Sequence, residues 1–238
     1  MNGYSKKYKG ITVLLFSFFA LGCIQSGNKE PVMEARAGKE RLPDTSDTEV
    51  SSAKLIPGSY GEASVAIDEN NLVTGFYGYY DAWDEKYQEF TKLCLFYFKG
   101  QFRNDSTIRI LTAWPTTEQR LTGTLIIKEN GINIVLNDIP YGYAAVDFTD
   151  KYGYSRALED KRSWVEIRIV QSKKAPLFSA PDSTRQLNAY LIANDVVKVV
   201  ARKDKWYEVE YAVPGSSNKP LIAWIPDSLL YDKDPEKW

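Results

Sequence analysis

Histidine is absent from the whole sequence of 238 residues. Its absence excludes Ser-His-Asp and Cys-His nucleophile systems, as well as zinc sites that use imidazole ligands. Only two cysteines are present, Cys23 and Cys94, so the chain cannot build a disulfide framework. We therefore expect no catalytic residue, no metal site and no cofactor, and we predict that the protein is not an enzyme.

An excess of charge of one sign is also lacking, because 30 Lys and Arg residues face 31 Asp and Glu residues. Without a broad basic field, a nucleic-acid partner is not expected. Aromatic residues are plentiful, with 16 tyrosines and six tryptophans. Such side chains stabilise small β cores and also populate binding surfaces.

The sequence has no apolar run long enough to span a bilayer. Its most apolar segment, Ile11–Leu21, has 11 residues and follows Lys6, Lys7 and Lys9. A transmembrane helix needs about 20 residues. A basic segment followed by a short apolar segment is instead typical of a signal peptide.

The segment Ala20-Leu21-Gly22-Cys23 resembles a lipobox, the cleavage motif of bacterial lipoproteins. It departs from the usual motif because Leu is more common where Ala20 stands and a small residue where Leu21 stands. The resemblance implies that residues 1–22 are a lipoprotein signal peptide and that Cys23 is lipidated. The membrane would then be a partner through this anchor, with the protein in the bacterial cell envelope, at the outer membrane or its periplasmic face. Two alternatives are an ordinary secretory signal ending near a cysteine and a buried structural cysteine.

Residues 23–53 contain mainly polar and charged residues, glycine and proline. A segment with so few apolar side chains cannot bury enough surface to offset the entropy lost on ordering. We predict a flexible tether between the anchor and a folded region that begins near Lys54.

Residues 54–163 are predicted to form a central β domain. Short runs rich in β-branched and aromatic residues alternate with turn signals, and Asn130-Gly131 between two such runs indicates a hairpin. Glycines inside Leu72–Tyr80 suggest bulges or close backbone packing. The pattern predicts an antiparallel β-sandwich or open barrel of six to eight strands, with a helical turn at 81–89 and another at 154–162.

Two stretches of the central domain combine carboxylates with aromatic residues. Asp81, Asp84 and Glu85 lie beside Tyr79, Tyr80 and Trp83, and Asp147 follows Tyr141 and Tyr143. Glycan binding or glycoside hydrolysis uses this combination, but a solvated loop after an aromatic strand is the favoured interpretation of both stretches. Cys94 stands in an apolar run, which predicts a buried and unreactive thiol.

Residues 164–238 read as a small, separate β-barrel. Short runs of β-branched and aromatic residues are separated by Pro-Asp, Asn-Asp, Lys-Asp and Pro-Gly pairs. In the run Trp206–Tyr211, Tyr207, Val209 and Tyr211 share one face, as a half-buried antiparallel strand requires. Asn194 before Asp195 suits a left-handed turn.

The order of these runs resembles a bacterial SH3 domain. The residues that carry the resemblance are Leu177-Phe178-Ser179, Pro181-Asp182, Ala189–Ile192, Asp195–Val199, Trp206–Tyr211, Ala223–Pro226 and Leu229-Leu230. Asn194 and Ala223 stand where the family usually has glycine, and Ala223 disfavours a positive φ. The resemblance implies a binding module at the cell envelope, with a ligand that the fold alone does not specify.

Four aromatic residues of this module are candidate ligand-binding residues: Trp206, Trp224, Tyr190 and Tyr211. The two tryptophans are predicted to lie on the faces opposite Val209 and Ile225. They would line a groove or, alternatively, pack between the two domains.

The sequence thus predicts an all-β, non-enzymatic cell-envelope lipoprotein whose SH3-like module binds cell-wall material such as peptidoglycan, or an envelope protein. One alternative is an inhibitor or immunity-type protein that neutralises a hydrolase or toxin through the loop 81–89. A further alternative is a glycosidase that works without histidine.

Overall fold

The computed structural model describes residues 54–214 and 219–238. They form two antiparallel sheets and two short 3-10 helices, which confirms the prediction of an all-β chain. Within these residues, no helix has the length and apolar character needed to cross a membrane. The predicted signal peptide, the tether and Cys23 lie outside the described residues.

The first sheet contains nine strands, one more than the upper limit of the prediction, in the order β8-β7-β6-β5-β4-β3-β2-β1-β9. The strands are β1 (Gly58–Tyr60), β2 (Ala63–Ile67), β3 (Leu72–Asp84), β4 (Glu89–Gln101), β5 (Thr107–Ala113), β6 (Thr122–Lys128), β7 (Gly131–Leu136), β8 (Tyr154–Ala157) and β9 (Asp160–Lys161).

The two edge strands of this sheet are neighbours in sequence. Only Leu158 and Glu159 separate β8 from β9, and two residues reach at most about 10 Å. The sheet therefore curls into an open barrel until its edges meet. The Tyr154 hydroxyl supports the closure by donating a hydrogen bond to the carbonyl of Tyr60 in β1.

The interior of the curled sheet is filled by aromatic side chains. Tyr77 stacks on Phe96 and makes edge contacts with Phe148 and Tyr154, with ring centroids 4.9–5.1 Å apart. At Gly75, a Cβ would lie 2.0 Å from the ring of Phe98, so this position requires glycine. The predicted close packing at a strand glycine is thus confirmed there.

Of the two helical turns predicted from the sequence, the one at 154–162 is wrong, and the one at 81–89 is reduced to a single hydrogen bond of helical spacing, from the N–H of Gln88 to the carbonyl of Asp84. The segment 81–89 contains the ends of β3 and β4 and the tight turn between them, and the segment 154–162 contains β8 and β9. Cross-strand pairing continues from Tyr80↔Leu93 to Asp84↔Glu89 at the end of the hairpin. This pairing satisfies backbone groups that a helical turn would have used.

The second sheet contains six antiparallel strands in the order β10-β13-β14-β15-β11-β12. Val209 and Ile225 lie in its apolar core, together with the partly buried Tyr207 and Tyr211. Asn194 adopts the predicted left-handed conformation, with φ 73°. The strands are β10 (Glu166–Ile169), β11 (Ala175–Phe178), β12 (Gln186–Leu191), β13 (Val196–Lys203), β14 (Trp206–Tyr211) and β15 (Leu221–Pro226).

The two sheets pack through a separate apolar cluster. Ile167 and Ile169 of β10 lie against Phe76 and Ala66, and Trp164 and Val196 complete the contact. The backbone N–H of Ile167 donates a 2.8 Å hydrogen bond to Oγ1 of Thr74. Because Thr74 is fully buried, this bond satisfies a hydroxyl that would otherwise be costly to desolvate.

Charged side chains join the sheets on one side of this cluster. Arg202 of β13 lies 2.7 Å from the buried carboxylate of Glu166, and it also approaches Asp68 and Glu69 of the β2–β3 turn at 3.8 and 3.4 Å. Glu166 in turn pairs with the buried Arg168 at 3.5 Å. The ion pairs of Arg202 with Asp68 and Glu69 connect the two sheets. Removing one member of the network would leave a buried charge uncompensated.

The tail Tyr231–Trp238 returns to the first sheet. Lys99 of β4 forms a 3.0 Å ion pair with Asp234, and the Tyr97 hydroxyl donates to the carbonyl of Lys233. The Trp238 ring lies 5.3 Å from that of Tyr97. These contacts form a second attachment between the C-terminal region and the nine-stranded sheet.

A cleft between the sheets as candidate functional site

A cleft of about 310 Å³ opens where the strands β2 and β3 face the strands β13 and β14. Its size is near the lower end of the range for ligand pockets, about 300–1,000 Å³. The floor is apolar and includes Phe76 and Val196, which belong to the cluster between the sheets. The other lining residues are Gly61, Glu62, Ser64, Gly78, Tyr80, Asn194, Asp195, Lys198, Tyr211, Ala212, Val213 and Pro214.

Among the described residues, Lys198 is the only cation that lines the cleft. Its ammonium group is within salt-bridge distance of no carboxylate in the described part of the chain. Its nearest aromatic partner is Trp164, whose ring centre lies 6.0 Å away. Burial lowers the pKa of Lys198, and the negative charge of Glu210 opposes this shift in part.

Glu210 does not act as the direct partner of Lys198, although the two residues are paired across β13 and β14. Its Oε2 accepts a 3.3 Å hydrogen bond from Nε1 of Trp164 and lies 3.7 Å from Arg162. The carboxylate is thus held away from the ammonium. This arrangement leaves the charge of Lys198 available to a group that enters the cleft.

Asp195 supplies a carboxylate on the same side of the cleft. Its Oδ1 accepts a 2.9 Å hydrogen bond from the Tyr211 hydroxyl, and its Oδ2 accepts a 2.8 Å bond from the backbone N–H of Ile192. Burial raises the pKa of Asp195, and these two hydrogen bonds act in the opposite direction. The bonds fix the orientation of the carboxylate.

Tyr80 faces this carboxylate from the nine-stranded sheet. Burial raises the pKa of Tyr80 to about 12, and the charge of Asp195 adds to the shift. Burial also raises the pKa of Tyr211, with Asp195 and Tyr80 contributing. The two phenol groups and the carboxylate line the same cleft, and the Tyr211 hydroxyl is hydrogen-bonded to Asp195.

Glu62 supplies a second carboxylate, at the mouth of the cleft. It accepts a 2.9 Å hydrogen bond from the Tyr154 hydroxyl and lies 3.6 Å from Nε of Arg156. The cleft therefore combines one unpaired cation with two oriented acceptor groups and aromatic walls. Within residues 54–214 and 219–238, no cluster of side chains is suited to hold a metal ion.

Of the four aromatic residues predicted to bind a ligand, the structure brings only Tyr211 into the cleft. Trp206 lies on the other face of the six-stranded sheet from Val209 and packs edge-on against Phe178 at 4.9 Å. Trp224 is opposite Glu208 on the neighbouring strand. Neither tryptophan belongs to the cluster that joins the sheets, where Trp164 takes that place instead.

Tyr190 is separate from the other three candidate residues. It is 55% exposed on β12, the edge strand, and the ammonium of Lys174 lies 4.8 Å from the centre of its ring. No contact connects Tyr190 with the cleft. The four predicted residues thus occupy three places on the module and do not form one groove.

The two aromatic-acidic stretches of the central domain come together. The rings of Tyr79 and Tyr143 are 6.1 Å apart, and the ammonium of Lys92 lies 4.8 Å from the centre of the Tyr143 ring and 4.0 Å from Asp81. The other acids serve their own loops, since Asp84 accepts from the backbone of Lys86 and Asp147 from that of Thr149. The surface is therefore aromatic, and its loop acids already have structural roles.

Cys94 is a free and fully buried cysteine of β4. Burial raises the pKa of its thiol to about 12, so the reactive thiolate is not formed near neutral pH. The predicted burial of this thiol is confirmed.

Sequence reasoning did not identify Lys198 as a site residue. The feature of the sequence that could have identified it is a single lysine inside the β-branched run Val196-Val197-Lys198-Val199-Val200. By strand alternation, Lys198 shares its face with Val196 and Val200, both of which pack in the cluster between the sheets. A charge on an apolar face is the unusual feature that marks the site.

Comparison with known proteins identifies one part of the chain. Residues 171–212 match the bacterial SH3 domain family, which agrees with the resemblance found in the sequence. No curated protein and no solved structure matches the chain significantly. The matched segment includes Asp195, Lys198 and Tyr211, so these three residues of the cleft lie in the region that is similar to bacterial SH3 domains.

Proposed function

We propose that the protein is a non-enzymatic binding protein of the bacterial cell envelope, anchored through a lipid on Cys23, which binds peptidoglycan through its SH3 module. Bacterial SH3 domains are typically cell-wall binding modules. The observation that carries the proposal is the cleft, because it places oriented polar groups of the module among aromatic walls. A few convergent polar groups in a concave, largely apolar site are characteristic of ligand pockets.

Cosedimentation of the purified full chain with isolated peptidoglycan tests the binding. We expect the wild-type protein to sediment with the cell wall and Tyr80→Ala to remain largely in the supernatant. Trp224→Ala serves as the matched control, since it removes an aromatic residue outside the cleft. Retention that depends on Trp224 and not on Tyr80 would move the binding site to the tryptophan surface, and no retention of the wild type would overturn the proposal.

Two further measurements test the remaining parts of the proposal. Mass spectrometry of the mature N-terminus is expected to show lipid on Cys23, and an unmodified Cys23 would contradict the anchor. Incubation of the pure protein with peptidoglycan is expected to release no soluble fragments. Release that is abolished by changing Asp81 or Glu85 would show that the protein is a glycosidase.

One observation favours the alternative of a protein-binding inhibitor. The hairpin of β3 and β4 extends beyond its pairing with β2 and β5, and Trp83 and Tyr87 near its end are 45% and 62% exposed. Exposed aromatic side chains are enriched at protein interfaces. Stoichiometric capture of one envelope hydrolase, lost in Trp83→Ala with Tyr87→Ala, would support this function.

A further inference from the structure

We infer that the cleft binds the free carboxylate at the end of a short peptide, with Lys198 as the anchoring cation. This inference rests on the proposed function, because it names the group that the same cleft recognises. The juxtaposition that carries it is a half-buried, unpaired ammonium group in one cleft with two carboxylates that are already oriented by other hydrogen bonds.

The ammonium group determines the sign of the ligand. A lysine that shares its face with Val196 and Val200 loses hydration when the sheets pack, and Glu210 is held by Trp164 and Arg162 instead. Desolvation of an unpaired cation costs free energy unless an anion binds next to it. An entering anion would restore the interaction that the protein itself does not supply.

The two carboxylates determine the type of anion. Asp195 and Glu62 both line the cleft, and only Glu62 has a cationic neighbour, Arg156. A doubly charged phosphate would meet more repulsion than attraction here, and no arginine fork faces it within the described lining. A singly charged carboxylate is the anion that one ammonium can balance.

The same two carboxylates favour a peptide over a simple organic acid. Their free lone pairs can accept hydrogen bonds from N–H groups that lie a few ångströms from the bound carboxylate, as amide and amino groups of a peptide do. The phenol rings of Tyr80 and Tyr211 provide walls, and the volume of about 310 Å³ suits a chain end with small side chains.

The test compares two probes that differ only at the chain end, N-acetyl-alanyl-alanine and its C-terminal amide. Binding to the purified full chain is measured by isothermal titration calorimetry at pH 7. We expect the acid to bind at least tenfold more tightly than the amide. We also expect at least tenfold weaker binding of the acid to Lys198→Met, and binding to Lys198→Arg within about threefold of the wild type.

Lys203→Met is the matched control, because Lys203 lies exposed on the same strand and outside the cleft. It should bind the acid as the wild type does. Thermal unfolding of each variant shows whether it is folded, and Lys198→Arg keeps the test decisive if Lys198→Met is unstable. Equal binding of acid and amide, unchanged binding by Lys198→Met, or no binding of the acid by the wild type would each overturn the inference.

Cosedimentation with peptidoglycan separates this result from the proposed function. A wild-type protein that sediments with peptidoglycan but does not bind the acid would leave the cell-wall function standing and refute the role of Lys198. A protein that binds the acid but does not sediment would retain the carboxylate site and refute the cell-wall function.

Discussion

The six-stranded sheet borders two aromatic surfaces that differ in their charge, one of them shared with the nine-stranded sheet. Tyr80 and Tyr211 line the cleft together with Asp195 and the unpaired Lys198. On the tryptophan surface, defined by Trp206 and Trp224, the ring of Trp206 packs against Phe178 of the same sheet. Aromatic residues alone therefore do not distinguish a candidate binding site from ordinary packing, and the unpaired, half-buried charge is the feature that sets the cleft apart.

The largest effect is expected from filling the cleft. In Gly78→Val, the new Cβ would lie 2.4 Å from the ring of Phe76 and 3.0 Å from that of Tyr80, so both rings must move. We expect loss of peptide and peptidoglycan binding, with a decrease of about 1–3 kcal/mol in the free energy of unfolding. Calorimetry and urea unfolding measure the two quantities, and unchanged binding would show that the cleft is not the site.

The second prediction concerns the tryptophan surface, where a substitution should lower stability and leave binding unchanged. Trp206→Ala removes the edge contact with Phe178, and because Trp206 is only half-buried we expect a loss of about 2 kcal/mol in the free energy of unfolding, less than for a core tryptophan. Binding of the acid probe should not change. Weaker binding in a folded variant, as judged by circular dichroism, would show that the two surfaces are coupled.

The pH dependence of binding tests whether the charge of Lys198 holds the ligand. The charge of Glu210 acts on Lys198, and Arg162 lies 3.7 Å from the Glu210 carboxylate. Asp195, Glu62, Tyr80 and Tyr211 line the same cleft as Lys198. Burial raises the pKa of Asp195, and it raises the pKa of Tyr80 to about 12. Because the pKa of Lys198 is lowered, binding of the acid should be full below this pKa and decline as the pH rises through it, earlier than for an ordinary lysine.

Lys198→Arg provides the control for this profile. Arginine keeps its charge throughout the accessible alkaline range, so binding by this variant should stay constant where the wild type declines. The same decline in both proteins would assign the pH dependence to another group.

The smallest effect is expected at Tyr190. This side chain is 55% exposed and contacts the ammonium of Lys174 at the edge of the sheet. Tyr190→Ala should change the free energy of unfolding by less than about 0.5 kcal/mol and leave binding unchanged. A clear loss of peptidoglycan retention would restore Tyr190 as a binding residue.

The fold followed from the sequence where local patterns determine it. Alternation placed Val209 and Tyr211 on the core face, and Asn194 marked its turn, because both signals depend on neighbouring residues only. At 81–89 the ends of β3 and β4 were not recognised, because acidic and aromatic residues there do not alternate between polar and apolar as a half-buried strand does. These strand ends are determined by pairing with each other.

The candidate site could be predicted only in part. Tyr211 was recognised, but its partners Tyr80 and Lys198 lie on different sheets, and no local pattern connects β3 with β13. Trp206 and Trp224 attracted attention by residue type alone. Whether a tryptophan is covered by its own module, as Trp206 is by Phe178, depends on tertiary packing that short-range patterns do not contain.

The meeting of β8 and β9 at Leu158 and Glu159 has a consequence for the order of folding. The hydrogen bond from Tyr154 to Tyr60 joins residues 94 positions apart, and β1 lies between β2 and β9 in the finished sheet. Such distant pairings slow folding because a long loop must close before they contribute. During synthesis, β1 keeps an unpaired edge until residue 161 is available, so assembly of the nine-stranded sheet is completed by one of its shortest strands.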